Sequence, residues 1–179
     1  MSDATASVSG VTRAKPATRT TAELVALVER EAPSVLDYFG RRTASREDAA
    51  DLLSETLLVI WRRAKAVPAD DTEARMWMFG VARKVLTTHR RAAGRRAGLA
   101  EKLESTVART EPTLDHDELR DLIDALGDPD REIVRLFYWE GFSLVEVAGI
   151  LGMREATVRS RMARARTKLR DALNAAEPT

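Results

Sequence analysis

Apolar residues recur at helical spacing along most of this chain, and runs in which β-branched and polar residues alternate are missing. The pattern predicts helices near Thr21–Gly40, Arg46–Lys65, Thr72–Arg91 and Asp115–Leu126. Asp128 and Pro129 are typical of an N-cap followed by proline in the first helical position, so a further helix is expected to begin there. The chain is therefore predicted to be all-α.

The last third of the chain has the pattern of two helices separated at Gly152. Ser143 followed by Glu146 is typical of a capping box at the start of the first helix. Gly152 suits the left-handed position that commonly follows a helix end. In the second helix a buried stripe at i, i+4, i+7 and i+11 is expected from Val158, Met162, Ala165 and Leu169. These features together predict a helix-turn-helix.

The second of these helices is rich in arginine and poor in acidic residues. Such a concentration of positive charge is an electrostatic footprint for phosphate, and a helix of this kind fits the major groove of DNA. A solvated basic face on an ordinary helical hairpin is the alternative interpretation. Because the capping box, the glycine turn and the buried stripe occur together, we favour DNA binding.

Composition changes the picture mainly through the distribution of charge. The chain has 179 residues, of which 32% are charged, but its formal net charge is only +1. The region 83–96 is basic, 101–132 is mostly acidic, and the C-terminal helix is basic again, which indicates two nucleic-acid modules separated by a linker. We predict a disordered tail over residues 1–20, a first helical domain over 21–95, a flexible linker over 96–114 and a second domain over 115–175.

Cysteine is absent from the sequence, which excludes disulfides, thiolate zinc sites and a thiol redox switch within it. No apolar run approaches the length of a membrane span, and the N-terminus lacks the basic start and apolar core of a signal peptide. A cytoplasmic location is therefore expected.

The predicted second helix carries Asp48, Asp51 and Glu55 on one narrow stripe, away from its apolar side. Three carboxylates on one face suit a divalent metal, as in a nuclease, a protein-docking surface, or a merely solvated face. No histidine or second carboxylate cluster with ligand spacing accompanies them, so metal catalysis is disfavoured. The pattern alone leaves docking and solvation equally open.

The predicted third helix interleaves aromatic and basic residues and ends in a basic cluster. Aromatic faces stack on unpaired bases while Arg and Lys hold the backbone, which is the usual logic of single-strand binding. The alternative is that Trp77 and Phe79 are core residues above a basic helix end, and for each aromatic taken singly that alternative is favoured.

Three segments in order resemble the extracytoplasmic-function group (group IV) of the sigma-70 family of bacterial RNA polymerase sigma factors. They are DAADLLSETLLVIWR from Asp48, WMFGVARKVLTTHRR from Trp77, and the stretch from Asp128 to Arg170. Any one match is weak, but three in the right order and spacing are specific. Ser54 and Lys84 depart from the family pattern, which often has Gln and Asn at these positions.

The resemblance implies a role for each segment. The helix near 48–61 would dock on the clamp helices of the polymerase largest subunit through Asp48, Asp51, Ser54 and Glu55. The helix near 77–91 would hold the melted −10 promoter element through Trp77, Arg83, Lys84, Thr88, Arg90 and Arg91. The second domain would bind the polymerase flap and read the −35 element through Arg154, Glu155, Thr157, Arg159, Ser160, Arg161, Arg164 and Lys168.

By this resemblance the protein is a sigma factor that directs promoter recognition, promoter melting and transcription initiation. It would have no active site, cofactor or metal, and it would be restrained by an anti-sigma protein. The alternative is an ordinary helix-turn-helix regulator that binds duplex DNA as a dimer without being a polymerase subunit. The two separate basic surfaces argue against that alternative.

Overall fold

Helices make up all the regular structure that this computed structural model describes, which covers residues 19–100 and 117–176. The N-terminal unit consists of α1 (Thr21–Gly40), α2 (Arg46–Arg62), a short 3₁₀ turn (Ala64–Ala66) and α3 (Asp71–Ala100). The C-terminal unit consists of α4 (Asp117–Asp124), α5 (Asp130–Tyr138), α6 (Leu144–Leu151) and α7 (Glu155–Ala176). The predicted all-α fold is confirmed.

The N-terminal unit begins with a capping box at α1. The Thr20 hydroxyl accepts from the Glu23 N–H at 3.3 Å, and the Glu23 carboxylate accepts from the Thr20 N–H at 2.7 Å. The Thr20 N–H and, at 2.9 Å, the Thr20 hydroxyl both donate to the Glu23 carboxylate, and these two bonds hold the pKa of Glu23 below its ordinary value. The three helices then share a core that includes Leu27, Tyr38, Phe39, Leu52, Ile60 and Phe79. This core fixes α2 and α3 so that one side of each faces outward.

The structure moves several predicted boundaries, since α2 ends at Arg62 and α4 at Asp124, and it changes the tail and the third helix most. Arg19 lies within the predicted tail, yet its side chain is mostly buried and donates to the carbonyls of Pro68 at 2.7 Å and Ala69 at 2.8 Å. The third helix continues beyond its predicted end at Arg91 to Ala100, because alanine and arginine have high helix propensity and sustain the helix after the apolar periodicity ends. The rest of the predicted tail and linker, residues 1–18 and 101–114, lies outside the described residues.

The start of α5 also differs from the prediction. Pro129, not Asp128, occupies the N-cap position, and the helix begins at Asp130. The Asp128 carboxylate instead pairs at 3.1 Å with Arg131, the second residue of the helix. The acidic side chain therefore still lies near the positive end of the helix dipole.

The predicted helix-turn-helix is present in the C-terminal unit. The Ser143 hydroxyl accepts from the Glu146 N–H at 3.3 Å, and the Glu146 carboxylate accepts from the Ser143 N–H at 2.7 Å, which completes the capping box. Gly152 ends α6 with φ +65°, the left-handed conformation that favours glycine. The buried stripe of α7 is present as well: Val158, Met162 and Ala165 are buried and Leu169 is partly buried.

The two units contact each other. Helix α6 packs on α3, and the Phe142 ring meets the Phe79 ring edge-on with centroids 4.9 Å apart. A cluster of arginine and glutamate side chains joins α1 and α3 to α5 and the loop that follows it. Sequence periodicity gave no indication of this contact.

Candidate nucleic-acid and protein-docking surfaces

Away from its buried stripe, α7 carries a polar stripe at i, i+3, i+7 and i+11, formed by Thr157, Ser160, Arg164 and Lys168. The last three side chains are exposed and Thr157 is half-buried. The Ser160 hydroxyl donates to the Thr157 carbonyl at 3.0 Å. Among the described residues, no carboxylate pairs with Arg164 or Lys168, so both cations remain available to an anionic ligand.

The N-terminal end of α7 carries a mixed set of charges. Arg154 is exposed in the turn before the helix, and Glu155 and Arg159 form an exposed ion pair one turn apart. An exposed pair of this kind contributes little to stability. Both side chains can therefore exchange this contact for another at small cost.

Arg161 was predicted to contact DNA, but the structure directs it inward. Its Nη1 donates to the Asp130 carboxylate on α5 at 2.8 Å, and its Nε is buried. The carboxylate partner is itself largely buried, with 14% of its side chain exposed. In this arrangement Arg161 fastens α7 to α5 instead of extending to a ligand.

The six residues predicted on α3 fall on two faces. Trp77, Lys84 and Thr88, at i, i+7 and i+11, line one cleft of about 570 Å³ together with Glu55 of α2. The Thr88 hydroxyl donates to the Lys84 carbonyl at 3.0 Å. This face combines a half-buried indole with an exposed ammonium, the pairing that suits an unstacked base and its phosphate.

The other three predicted residues of α3 are Arg83, Arg90 and Arg91, which line a separate cleft next to Asp128 and Glu132 of the C-terminal unit. Arg90 Nη2 donates to the carbonyl of Arg42 at 3.1 Å. The structure therefore does not bring all six residues to one surface. Phe79, by contrast, is fully buried in the core, as the alternative interpretation of that aromatic residue predicts.

The predicted docking face of α2 is exposed at Asp51, Ser54 and Glu55, whereas Asp48 is half-buried. The Ser54 hydroxyl donates to the Ala50 carbonyl at 2.9 Å, within its own helix. Sequence reasoning missed two large apolar neighbours on this face: Leu58 is 55% exposed and Trp61 54% exposed. Leu58 and Trp61 follow Asp51 at i+7 and i+10, which places them on the same helix face. This spacing was a sequence signal that an apolar strip continues the acidic one.

A second apolar surface was also missed, a groove between α4, α5 and α7 of about 440 Å³. Four of its lining side chains are large, apolar or aromatic, and at least 40% exposed: Leu119, Tyr138, Trp139 and Leu173. Arg166 lies beside them, where its Nε donates to the Tyr138 hydroxyl at 3.1 Å. Exposed apolar clusters of this kind mark binding grooves.

Candidate metal ligands do not converge. Within residues 19–100 and 117–176, no three His, Asp or Glu side chains gather in an arrangement that suits a metal ion. The carboxylates of α2 instead stand in a row along one helix face. No helix in this part of the chain is both long and apolar enough to cross a bilayer.

Two family models match the two helical units. The model described as Sigma-70 region 2 matches residues 27–96, and the model described as Sigma-70, region 4 matches residues 116–169. The extracytoplasmic-function RNA polymerase sigma factor SigL of Mycobacterium tuberculosis is 31% identical over 145 residues, which cover 76% of this chain and 81% of SigL.

This chain belongs to the extracytoplasmic-function group of RNA polymerase sigma factors. The EcfG sigma factor of Rhodopseudomonas palustris is 28% identical over 142 residues, covering 76% of this chain and 77% of that relative. As a member of the family, the protein is a sigma factor that directs transcription initiation, and the rival interpretation as a dimeric regulator is not favoured. Sigma factors are non-catalytic subunits.

Solved structures support the fold. The sigma factor RpoE in complex with the anti-sigma factor NepR from Bartonella quintana superposes with a TM-score of 0.71 at 21% identity, covering 87% of this chain and 99% of that chain. CnrH in complex with the cytosolic domain of CnrY gives a TM-score of 0.63 at 23% identity, covering 88% and 92%. At these identities the likeness concerns the fold.

Proposed function

We propose that the C-terminal unit reads the −35 promoter element with the outward stripe of α7. The single observation that carries this proposal is the pair of cations Arg164 and Lys168, which pair with no carboxylate within residues 19–100 and 117–176 and align with Thr157 and Ser160 on the exposed side of a capped helix-turn-helix. A helix of this kind places its N-terminal residues on base edges and its flanking cations on phosphates. Arg154, Glu155 and Arg159 lie at that N-terminal end and would contact the same groove.

The N-terminal unit would hold the melted −10 strand along α3. Trp77 would stack on an unpaired base, and Lys84 and Thr88 on the same face would contact its backbone. Arg83, Arg90 and Arg91 lie on the neighbouring face and would bind phosphates further along the strand. One face of α3 would thus bind an unpaired base, and the neighbouring face would bind the phosphate backbone.

The outward face of α2 would dock on the clamp helices of the core polymerase. Its acidic part, formed by Asp48, Asp51, Ser54 and Glu55, would fix orientation and attract a basic partner surface. Leu58 and Trp61 would supply the apolar contact, because large exposed aromatic and aliphatic side chains carry most of the energy of such interfaces.

The apolar groove beside α5 and α7 would accept the polymerase flap. An anti-sigma protein would restrain this chain by competing for these docking surfaces. This second partner is supported by the solved relatives of the same fold, RpoE and CnrH, which are described in complexes with NepR and with the cytosolic domain of CnrY. The protein would carry no active site of its own and would work in the cytoplasm, where core polymerase meets the chromosome.

Run-off transcription with purified core polymerase and a promoter library tests the proposal. Promoter-specific transcripts are expected only when this protein is added, and their sequences give the −10 and −35 preferences. The absence of transcripts and of polymerase binding, together with tight dimeric binding to a palindromic duplex, would overturn it in favour of the ordinary regulator.

Matched variants separate the surfaces of α7, α3 and α2 in the same assay. Lys168→Ala is expected to weaken −35 duplex binding, Trp77→Ala to weaken strand opening, and Trp61→Ala to weaken capture by core polymerase. Val145→Ala is the control, because Val145 is 55% exposed on α6 and belongs to none of these surfaces. An equal loss in all four variants would show that the assignments are wrong.

A further inference from the structure

Two neighbouring clefts share the Trp139 side chain as a common wall. The first is the apolar groove between α4, α5 and α7, of about 440 Å³, and the second is a cleft of about 400 Å³ where α4 and α5 meet the end of α1. Leu119 and Ile123 of α4 line both clefts as well. Each volume lies within the range of about 300–1,000 Å³ that is usual for small-molecule sites. The two clefts therefore form one continuous surface.

The groove has an apolar floor and apolar sides. Ile123 and Val134 are buried at its floor, whereas Leu119 and Leu173 are exposed on α4 and α7 at its two sides. Covering such carbon surface is favourable in proportion to the apolar area that is removed from water. An occupant of the groove must therefore present apolar groups along its length.

The second cleft, by contrast, is lined by three guanidinium groups, those of Arg41, Arg120 and Arg135. Arg120 is exposed on α4 and pairs with no carboxylate in the part of the chain that the structure describes. Arg41 pairs with Glu140 at 2.7 Å but shares this carboxylate with Arg42, which donates to it at 3.0 Å. Arg41 and Arg120 are thus incompletely neutralised.

Arg135 is the most buried of the three arginines. Its side chain is 9% exposed, and its Nη2 pairs with the Asp124 carboxylate, whose side chain is 45% exposed. Burial lowers the pKa of Arg135; Asp124 opposes this shift, and the charge of Arg42 adds to it. A further negative charge in the cleft would therefore stabilise the guanidinium, and the exposed contact with Asp124 can be exchanged at small cost.

The α7 side of the groove also carries cations, but their charged groups already have partners. Arg166 donates to the Tyr138 hydroxyl at 3.1 Å, and Arg170 pairs with the adjacent Asp171 at 3.7 Å. Both arginines line the groove, where their aliphatic stems add to its apolar surface. The charged group of an occupant is therefore expected in the arginine-lined cleft and not at α7.

We propose that this surface is a binding site for an anion of the fatty acid class, whose acyl chain lies in the apolar groove and whose carboxylate lies against Arg120 and Arg135, beyond Trp139. Burial of the chain provides most of the affinity, and charge-assisted hydrogen bonds from the guanidinium groups fix its direction. The binding does not depend on the proposed flap contact. Its consequence for transcription rests on that contact, because an acyl chain in the groove excludes the flap and lowers the yield of transcripts.

Titration of the full chain with sodium dodecanoate, at concentrations below those at which it forms micelles, tests the binding by proton–nitrogen NMR. The chain has three tryptophans, and Trp139→Phe assigns the indole signal of Trp139. That signal is expected to shift, whereas those of Trp61 and Trp77 stay in place. An unchanged Trp139 signal, or equal shifts of all three, would overturn the site. Binding to vesicles of an anionic phospholipid without binding to dodecanoate would also overturn it, in favour of a membrane surface.

The length of the acyl chain tests the groove. Affinity is expected to rise from octanoate to decanoate to dodecanoate, by up to about fourfold for each methylene that is buried. Leu173→Ala is expected to weaken the binding of dodecanoate more than that of octanoate. Val145→Ala, which changes an exposed valine outside both clefts, is the matched control. Equal affinity for the three acids would show that the chain does not enter the groove.

Two arginine variants test the direction of the bound anion. Arg120→Gln is expected to weaken dodecanoate binding about tenfold or more, because it removes a charged donor to the carboxylate. Arg170→Gln, the same substitution on the α7 side, is expected to leave the affinity unchanged, and circular dichroism checks that both variants keep their helical content. A larger loss in Arg170→Gln than in Arg120→Gln would overturn the proposed direction, and parental affinity in both would overturn the role of the arginine-lined cleft.

Run-off transcription separates this site from the proposed flap contact. Dodecanoate is expected to reduce the transcripts made with the parent and to have less effect on those made with Arg120→Gln, which also controls for direct effects on the polymerase. Unchanged transcription at a concentration that saturates the Trp139 signal would count against the flap contact of the groove, while the measured binding would stand.

Discussion

Arg161 Nη1 donates to the Asp130 carboxylate at 2.8 Å, and this ion pair ties the proposed DNA-reading helix α7 to the first turn of α5. Asp130 lies where the positive end of the α5 dipole already favours a carboxylate. The arginine therefore belongs to the framework that orients α7, while its neighbour Arg164 points away from that framework.

Arg161→Ala is expected to destabilise the protein by about 1–2 kcal/mol, because it leaves the largely buried Asp130 carboxylate without its charged partner. Asp130→Asn should lower stability in the same direction. Urea unfolding followed by circular dichroism measures both. Arg164→Ala is the control and should leave the unfolding midpoint unchanged; equal stability of Arg161→Ala and the parent would contradict the structural role.

Arg164→Ala is expected to weaken binding of −35 duplex DNA without lowering stability. If Arg164 contacts a base, the loss is about 1–3 kcal/mol and relaxes the preference at one base pair. A contact to phosphate would instead weaken all sequences alike and reduce the salt slope by about 1. Fluorescence anisotropy at several salt concentrations distinguishes the two, and a variant with parental affinity and slope would remove Arg164 from the interface.

Sequence reasoning predicted the local features of the helix-turn-helix because each depends on residues close together in the chain. Spacing and propensity alone predict three of these features: the capping box of Ser143 and Glu146, the turn at Gly152, and the buried stripe from Val158 to Leu169. The bounds of α1 were also predicted correctly. All the residues that determine such a feature lie within a few helical turns of one another, so the sequence alone identifies it.

Features that join distant parts of the chain were not predictable in the same way. The contacts of Arg42 with Glu132 and Glu140 span 90 and 98 positions, and nothing in the periodicity marks those side chains as partners. The pairing of Arg161 with Asp130 likewise depends on how α7 packs against α5, which lies 31 positions away. The helical spacing of Trp61 from Asp51 was a signal of its outward position, but a tryptophan in a helical pattern is more often buried, so its exposure became evident only in the fold.

Ser143→Ala is expected to lower the free energy of unfolding by about 1 kcal/mol, because it removes the hydroxyl that accepts from the Glu146 N–H at the start of α6. The midpoint temperature of thermal unfolding should therefore fall by a few degrees. Ser160→Ala is the matched control, since the Ser160 hydroxyl is exposed and donates only within α7. If Ser160→Ala lowers the unfolding temperature as much as Ser143→Ala does, loss of the helix cap is not the cause of the destabilisation.

Trp61→Ala is expected to weaken association with core polymerase by about 2 kcal/mol or more if the indole is a principal contact of the docking face. Biolayer interferometry with immobilised core enzyme measures the change, most of it in the dissociation rate. Trp139→Ala serves as a comparison on the separate apolar groove. Loss of affinity confined to Trp139→Ala would move the principal contact from α2 to that groove.

The Arg19–Asp71 pair makes the anchoring of α1 to the start of α3 dependent on pH. The hydrogen bond from Arg19 holds the pKa of Asp71 below its ordinary value of 3.8. A carboxyl whose pKa is lower in the folded state contributes stability above its unfolded pKa and loses it as pH falls through the folded pKa. The stability of the parent should therefore fall below pH 3.8 more steeply than that of Asp71→Asn.

Arg19→Ala completes this test. It removes the bond to Asp71 and also the two bonds to the carbonyls of Pro68 and Ala69, so some destabilisation should remain at every pH. The difference between the parent and Arg19→Ala is expected to be largest near neutrality and to shrink as Asp71 becomes protonated. Chemical unfolding at a series of pH values measures this difference, and a gap that stays constant into acid would show that the carbonyl bonds alone hold Arg19 in place.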